Sequence, residues 1–285
     1  MFIASLSSLL TKRATMLKRP LILLGAVMAI VVSATAQVVP TIGDHQPDAA
    51  LTIKVGDGTI SGKRITPNAM AWSGATYFDN GAPVKAGIWN VEVRALELEG
   101  RKVLVRTAGA VVVGHSSLKI LGYNVFVNVV DADTLAPVWS EHHNFDGSWE
   151  KWIVKGIHVE HHTIGAEPNA KEVVERFDTS VPAYDFDGPV LPFYYTGMQL
   201  KVGNSGVIPA IGAPDHPVRG VPFKVVRKEK VLAGARGLVD AYLVEMPDPT
   251  AGTLQFWFSE KFSFPLRMII PEAPGRPKMV FDMVG

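Results

Sequence analysis

The chain has 285 residues, 47% hydrophobic and 19% charged, with a formal net charge of +1 and no cysteine. That balance argues against a nucleic-acid binder, which gathers a basic excess on one face. The missing cysteines exclude disulfides, thiolate catalysis and cysteine-ligated metals. The length suffices for a well-buried core in one large or two small domains.

Residues 1–36 read as a signal peptide. Lys18-Arg19-Pro20 precedes an apolar run over residues 21–34, and Ala34-Thr35-Ala36 is the small-x-small pattern cleaved before Gln37. The run is shorter than the ~20 residues that span a bilayer, which favours cleavage over a permanent membrane anchor. Met1 and Met16 both stand open as the true start. Cleavage would remove Lys12, Arg13, Lys18 and Arg19 and no acid, leaving a mildly acidic mature chain with 24 basic and 27 acidic side chains. A lipoprotein needs a cysteine after its signal, so the expectation is a protein released to the periplasm or secreted.

Residues 37–50, with Pro40, Gly43 and Pro47, form a flexible lead-in. Residues 51–285 read as a single antiparallel β domain, with a division into two sub-sheets near residue 180 left open. Residues 51–55 are expected as a first short strand before the turn Gly56-Asp57-Gly58. Trp89, Val91 and Val93 then alternate with Asn90, Glu92 and Arg94; Gly100 turns the chain, and residues 102–114 return it. Tyr123, Val125, Val127 and Val129 alternate in turn with Asn124, Phe126, Asn128 and Val130. Such alternation marks half-buried antiparallel strands. Short helices are expected at residues 116–121 and 192–198 only, which leaves no crossover helices for a parallel sheet. The fold class is all-β.

Five of the eight histidines lie in residues 138–163. Residues 138–145 and 149–163 read as successive strands around Asp146-Gly147, which places His143 near Glu150 and His142 near Lys151. In a continuous second strand His158, Glu160 and His162 share one face and His161 takes the other. Two imidazoles and a carboxylate are divalent-metal chemistry. The candidate ligands are therefore His142, His143, His158, Glu160 and His162. On a flat strand, however, three alternate residues spread over about 13 Å at ~3.3 Å per residue, too wide for one ion unless the strand bends. The plainer reading is a polar, solvated sheet face, with Lys171, Glu172 and Glu175 on the returning strand beside the second histidine group.

Other catalytic signatures are missing. There is no Gly-x-Ser-x-Gly elbow, phosphate loop or His-Glu-x-x-His helix. Asp185 and Asp187 share a strand face if extended, yet read equally as a loop. The most marked feature is a hairpin over residues 254–270. Leu254, Phe256 and Phe258 fall on one face, and Gln255, Trp257 and Ser259 on the other. Leu266, Met268 and Ile270 line one face of the return strand. Trp257, Phe258 and Arg267 are the candidate ligand-binding residues there, against the plainer reading that the aromatic side chains are core. Arg267 either packs its stem at the sheet edge with its head in water or pairs with an acid such as Glu245.

The second half resembles the exported bacterial family catalogued as domain of unknown function 3108. The resemblance covers about residues 120–284. It rests on the order of Asp133-Thr134-Leu135-Ala136-Pro137, Val202-Gly203, Glu229 with the small-residue turn at 234–237, Ala241-Tyr242-Leu243-Val244-Glu245, Trp257-Phe258-Ser259 and Pro265-Leu266-Arg267. Residues 260–264 depart from it where the family carries acids. The resemblance implies an antiparallel sheet curved into a half-barrel or open barrel around a hydrophobic interior, and supplies no catalytic residues. Two functions stand side by side. One is a non-catalytic periplasmic protein that binds a hydrophobic or lipid envelope ligand, or a partner there, and uses no cofactor. The other is a metal-dependent periplasmic enzyme built on the His-rich strands.

Overall fold

The computed structural model describes residues 52–77, 83–113, 120–185, 191–248, 252–272 and 278–285. The signal segment, Asp187 and most of the helix expected at 116–121 lie outside them. Fourteen strands form one antiparallel sheet. The first eight are β1 (Ala69–Tyr77), β2 (Pro83–Leu98), β3 (Arg101–Val113), β4 (Ile120–Asp131), β5 (Pro137–His143), β6 (Trp149–Lys155), β7 (His158–Ile164) and β8 (Val173–Asp178). After one short helix, α1 (Leu191–Thr196), come β9 (Ser205–Ala213), β10 (His216–Leu232), β11 (Leu238–Asp248), β12 (Gly252–Phe258), β13 (Arg267–Ile270) and β14 (Lys278–Met283).

The spatial order runs β8-β7-β6-β5-β4-β3-β2-β1-β14-β13-β12-β11-β10-β9. Two meanders are joined where β1 pairs with β14, and β8 and β9 are the two edges, so the sheet stays open. Near residue 180 the chain leaves one edge and passes to the other. Tyr184 there makes a parallel bridge to Ala210, its amide donating to the Pro209 carbonyl and its carbonyl accepting from Ile211. Ala183, Val154 and Val159 from the β8 end pack with Ile211 and Val218 from the β9 end in a small cluster of their own. The β9 edge is thus covered, while the β8 edge presents Glu175 and Arg176, charged residues of the kind that discourage edge pairing.

Local chemistry fixes the turns. Glu99 and Gly100 both have positive φ, 51° and 78°, the backbone a two-residue hairpin needs to match strand twist. At the β4–β5 turn the Asp131 carboxylate accepts from the amides of Asp133 and Thr134 and from the Thr134 hydroxyl. Thr134 Oγ1 in turn accepts from the Ala136 amide. These bonds hold Leu135 at φ 56°, an unfavourable region for a branched side chain, and drive it fully into the core. The segment Asp133-Thr134-Leu135-Ala136-Pro137 is therefore part of an acid-capped turn with Asp131 as its acid.

Three sequence expectations change. Residues 52–55 are not a strand: Thr52 and Ile53 donate to the Val207 carbonyl and stop there, because the chain must then dive inward to bury Ile60 and Ile65. Gly62 passes so close to Ala132 that a Cβ would meet its carbonyl oxygen at 2.1 Å. Residues 149–163 are not one strand but the hairpin β6–β7, turned at Gly156 with φ 69°. The β5–β6 register is one residue from that expected: His142 faces Glu150, His143 faces Trp149 and Glu141 faces Lys151. The reason is a tight Asn144–Ser148 turn, in which the Asn144 amide donates to the Ser148 carbonyl. The helix expected at 192–198 is α1, and the hairpin at 254–270 is β12–β13.

The main core lies on one side of this sheet, filled from within by residues 53–65, by α1 with Phe193, Tyr194 and Tyr195, and by Phe264. Trp72 donates its indole N–H to the Pro265 carbonyl at 2.8 Å. The Leu266 amide donates to Trp257, and the Met283 amide to Leu266. That triple attachment explains why Pro-Leu-Arg opens the hairpin's return. It docks the loop between β12 and β14.

Candidate functional site

Register shows what each strand sends inward. On the β14 side, one cross-strand row runs Gly74, Phe281, Met268, Phe256, Val244, Val225, apolar throughout. On the other side a comparable row runs Val93, Arg106, Asn128, Ser140, Trp152, His161, Glu175. A second, parallel row passes from Phe126 to His142, Glu150 and Thr163. The inward face of β3–β8 is therefore polar over a stretch where the same face of β10–β14 is apolar.

Arg106 begins the polar row and is completely buried, and Asn128 and Ser140 are each only 1% exposed. Arg106 Nη1 donates to Asn128 Oδ1 at 2.7 Å, and the guanidinium lies 5.0 Å over the Phe264 ring. Its Nε and Nη2, with Asn128 Nδ2, Ser140 Oγ and Trp152 Nε1, find no hydrogen-bond partner among the described residues. Burial pulls the guanidinium down to about 9, against the opposite pull of Tyr194 and Asp185. Arg106 is still a cation at neutral pH.

Further along, Glu150 sits between two imidazoles, 3.1 Å from His142 Nδ1 and 3.3 Å from His161 Nε2. Burial would raise this carboxyl, but the bonds from His142 and His161 outweigh it and hold it well below the usual carboxylate range. His161 also stacks on Trp152, ring centroids 3.6 Å apart, and lies 3.6 Å from Glu175. His142 meets Phe126 edge-on at 4.8 Å.

The five predicted metal ligands do not converge. His142 points inward to Glu150. His143 is on the outer face beside Glu141 at 2.7 Å. His158, Glu160 and His162 do share the outer face of β7, and Glu160 and His162 lie 3.5 Å apart, but His158 turns to Asp178, Glu160 also to Arg176 and His162 also to Glu172. Among the described residues no group of three His, Asp or Glu side chains could hold a metal ion. The expected proximity of Glu172 and Glu175 to the histidines holds.

The C-terminal candidates are built into packing. Trp257 is 6% exposed, Phe258 is buried beside Tyr195 and Phe256, and Trp257 Nε1 donates to Glu229. Arg267 pairs with Asp282 rather than Glu245, because β13–β14 register sets those two opposite each other while Glu245 faces Gln255 and accepts from its amide.

A groove of 680 Å³ lies where β5 begins and β6 ends. Val55, Pro137, Val138, Trp139, Val154 and Ala183 line its apolar surface, with the exposed Arg101 and Lys155 among its walls. Arg101 is held by Asp131 at 3.1 Å. Val154 lies two residues along β6 from Trp152, on the same inward face.

A family model described as "Protein of unknown function (DUF3108)" matches residues 71–282. The chain belongs to this family. The match takes in β1–β3, ahead of the point where the family's motifs first stand out in sequence. No curated protein matches the chain. Among solved structures it is similar to a β-barrel-like protein of domain of unknown function DUF1849 from Brucella abortus, at 9% identity and a TM-score of 0.42, covering 78% of this chain and 97% of that one.

Sequence reasoning passed over Arg106, Asn128, Ser140 and Trp152, the inward polar row of this family member. A signal was present: in residues 102–114 Arg106 occupies a position whose alternation partners are Leu104, Ala108 and Ala110, the apolar face of its strand. A cation in register with apolar neighbours is either at an edge or held for a reason.

Proposed function

We propose that this protein is exported to the periplasm and binds, without catalysis, a hydrophobic ligand of the cell envelope. The observation that carries the reading is the apolar groove between the β5 start, the β6 end and residues 182–183. Its 680 Å³ is within the range of about 300–1,000 Å³ in which small-molecule sites fall. Export rests on the basic residues, apolar run and Ala34-Thr35-Ala36 of the leader. Non-catalytic binding is favoured because Glu141, Glu150, Glu160, Glu172 and Asp178 are each paired with a basic or imidazole side chain.

The test is mass spectrometry of organic extracts from protein purified natively out of the periplasm, beside a Val138→Arg variant that places a charge in the groove. Lipid should accompany the wild-type protein, whose N-terminus should be Gln37, and should be depleted in the variant. A wild-type extract no richer in lipid than a mock purification would sink the binding reading. Recovery of the uncleaved chain from the inner membrane would sink the export reading.

A further inference from the structure

We propose that Arg106, Asn128, Ser140 and Trp152 form an internal site for an oxyanion, a carboxylate or phosphate group carried on the ligand. This deepens the binding reading above and rests on it for the ligand's apolar part only.

Each residue occupies the same cross-strand row on adjacent strands, Arg106 opposite Asn128, Asn128 opposite Ser140 and Ser140 opposite Trp152. Neighbouring strands lie about 4.7–4.9 Å apart, so the first three side chains gather within about 10 Å. Their free atoms can all donate. Arginine and indole nitrogens only donate, and Asn128 is oriented by Arg106, whose Nη1 occupies its carbonyl oxygen and leaves the amide nitrogen to donate outward. The Ser140 hydroxyl can donate as well.

A run of buried groups that can each donate, one of them a cation, is complementary to a group that only accepts and carries negative charge. A sugar or an amine would bring donors of its own. Native proteins seldom leave buried polar atoms unpaired, since each costs about 1–3 kcal/mol, more when charged. Here Arg106 Nε and Nη2, Asn128 Nδ2, Ser140 Oγ and Trp152 Nε1 all belong to residues of this one row. Asp185 is buried nearby and influences the guanidinium, but the bond Arg106 makes is to Asn128. Trp152 and Val154 stand two residues apart on β6, about 7 Å. A molecule with its head on the donor row can therefore lay an apolar tail toward the groove.

The experiment uses the mature protein and three probes, inorganic phosphate, decanoate and decanol, read by calorimetric titration and by the shift in thermal midpoint. Two variants accompany it. Asn128→Asp keeps the acceptor for Arg106 but supplies an internal carboxylate in the ligand's place. Arg106→Met removes the buried cation and keeps a long apolar side chain in its place. Phosphate or decanoate should bind the wild type and raise its midpoint, with affinity at least about tenfold weaker in both variants, as for loss of a buried charge contact. Asn128→Asp should fold with a higher midpoint than the wild type before any probe is added.

Binding of phosphate without decanoate would place a free oxyanion on the row and remove the hydrophobic-ligand reading while this one stands. Binding of decanoate without phosphate or decanol would make the ligand an acidic amphiphile. If decanol binds as well as decanoate and neither variant matters, the groove is real and the oxyanion site is overturned. No response to phosphate or decanoate at millimolar concentration also overturns it, the donors then being met by water alone. Should Arg106→Met fail to fold, Asn128→Asp decides: retained binding in that variant rejects the site.

Discussion

The two arms of this sheet solve the same problem with opposite side chains. From β1 through β14 to β10 the inward row is Gly74, Phe281, Met268, Phe256, Val244 and Val225, and Gly74 is there because the Phe281 ring occupies the space of its missing side chain, at 2.7 Å. From β2 out to β8 the inward row passes from Val93 to Arg106 and stays polar to Glu175. The apolar arm gains stability from burial at roughly 25 cal/mol per Å². The polar arm gains little from buried donors, whose net contribution is small when paired and negative when unpaired. A fold that needed only stability would extend the first pattern. The second pattern is where binding chemistry is to be sought.

The difference predicts a hierarchy of effects. The largest belongs to the apolar arm: Trp257→Ala should lower stability by about 3–5 kcal/mol, the range for truncating a buried Trp, read from urea midpoints at unchanged slope. An unchanged midpoint with loss of a co-purified ligand would make Trp257 a binding residue and break the comparison. Next, Asp131→Asn should destabilise by about 1–3 kcal/mol, since a charged acceptor of several exposed and part-buried turn bonds is weakened and Leu135 loses the cap that keeps its backbone left-handed. The same measurement checks it, and a loss as large as that of Trp257→Ala would show the polar arm to depend on its turn as heavily as the other depends on burial.

The third effect depends on pH. Burial would raise the carboxyls of Glu150 and Asp131, but hydrogen bonds from His142 and His161 to the first, and from Thr134, Arg101 and Asp133 to the second, lower both overall. A carboxyl depressed in the folded state contributes stability that is fully present above its unfolded pKa, near 4, and is lost as pH falls through the folded value. The thermal midpoint should therefore drop as the solution is acidified below about pH 4. Glu150→Gln should flatten that drop, and an identical acid profile in the variant would remove Glu150 from the account. The smallest effect is Arg267→Ala. Its bond to Asp282 joins two half-exposed side chains, so the expected loss is at most about 1 kcal/mol, near the error of a careful denaturation series.

Much of the fold was legible because strands announce themselves locally. The alternation of Trp89, Val91 and Val93 needs only the two-residue period of a pleated chain, and Pro265-Leu266-Arg267 with Trp257-Phe258-Ser259 brackets a hairpin without reference to anything distant. Less legible were features decided by a single residue of register. Moving the β5–β6 pairing by one exchanges Lys151 for Glu150 opposite His142, and the side chain opposite a histidine is the difference between repulsion and a bond.

Sequence alone determined the antiparallel class, the hairpin at residues 254–270 and the placing of Glu172 and Glu175 beside the second histidine group, since these follow from contacts between neighbours in the chain, and the order of its motifs gave the family. Tertiary structure decided that β1 pairs with β14, that the chain near residue 184 crosses to cover β9, and that Arg106, Asn128, Ser140 and Trp152, spread over four strands, stand in one buried row. The physical reason is the same in each case. Period and composition say which face of a strand is inward, but which residues of other strands share that face depends on the stagger of every intervening turn.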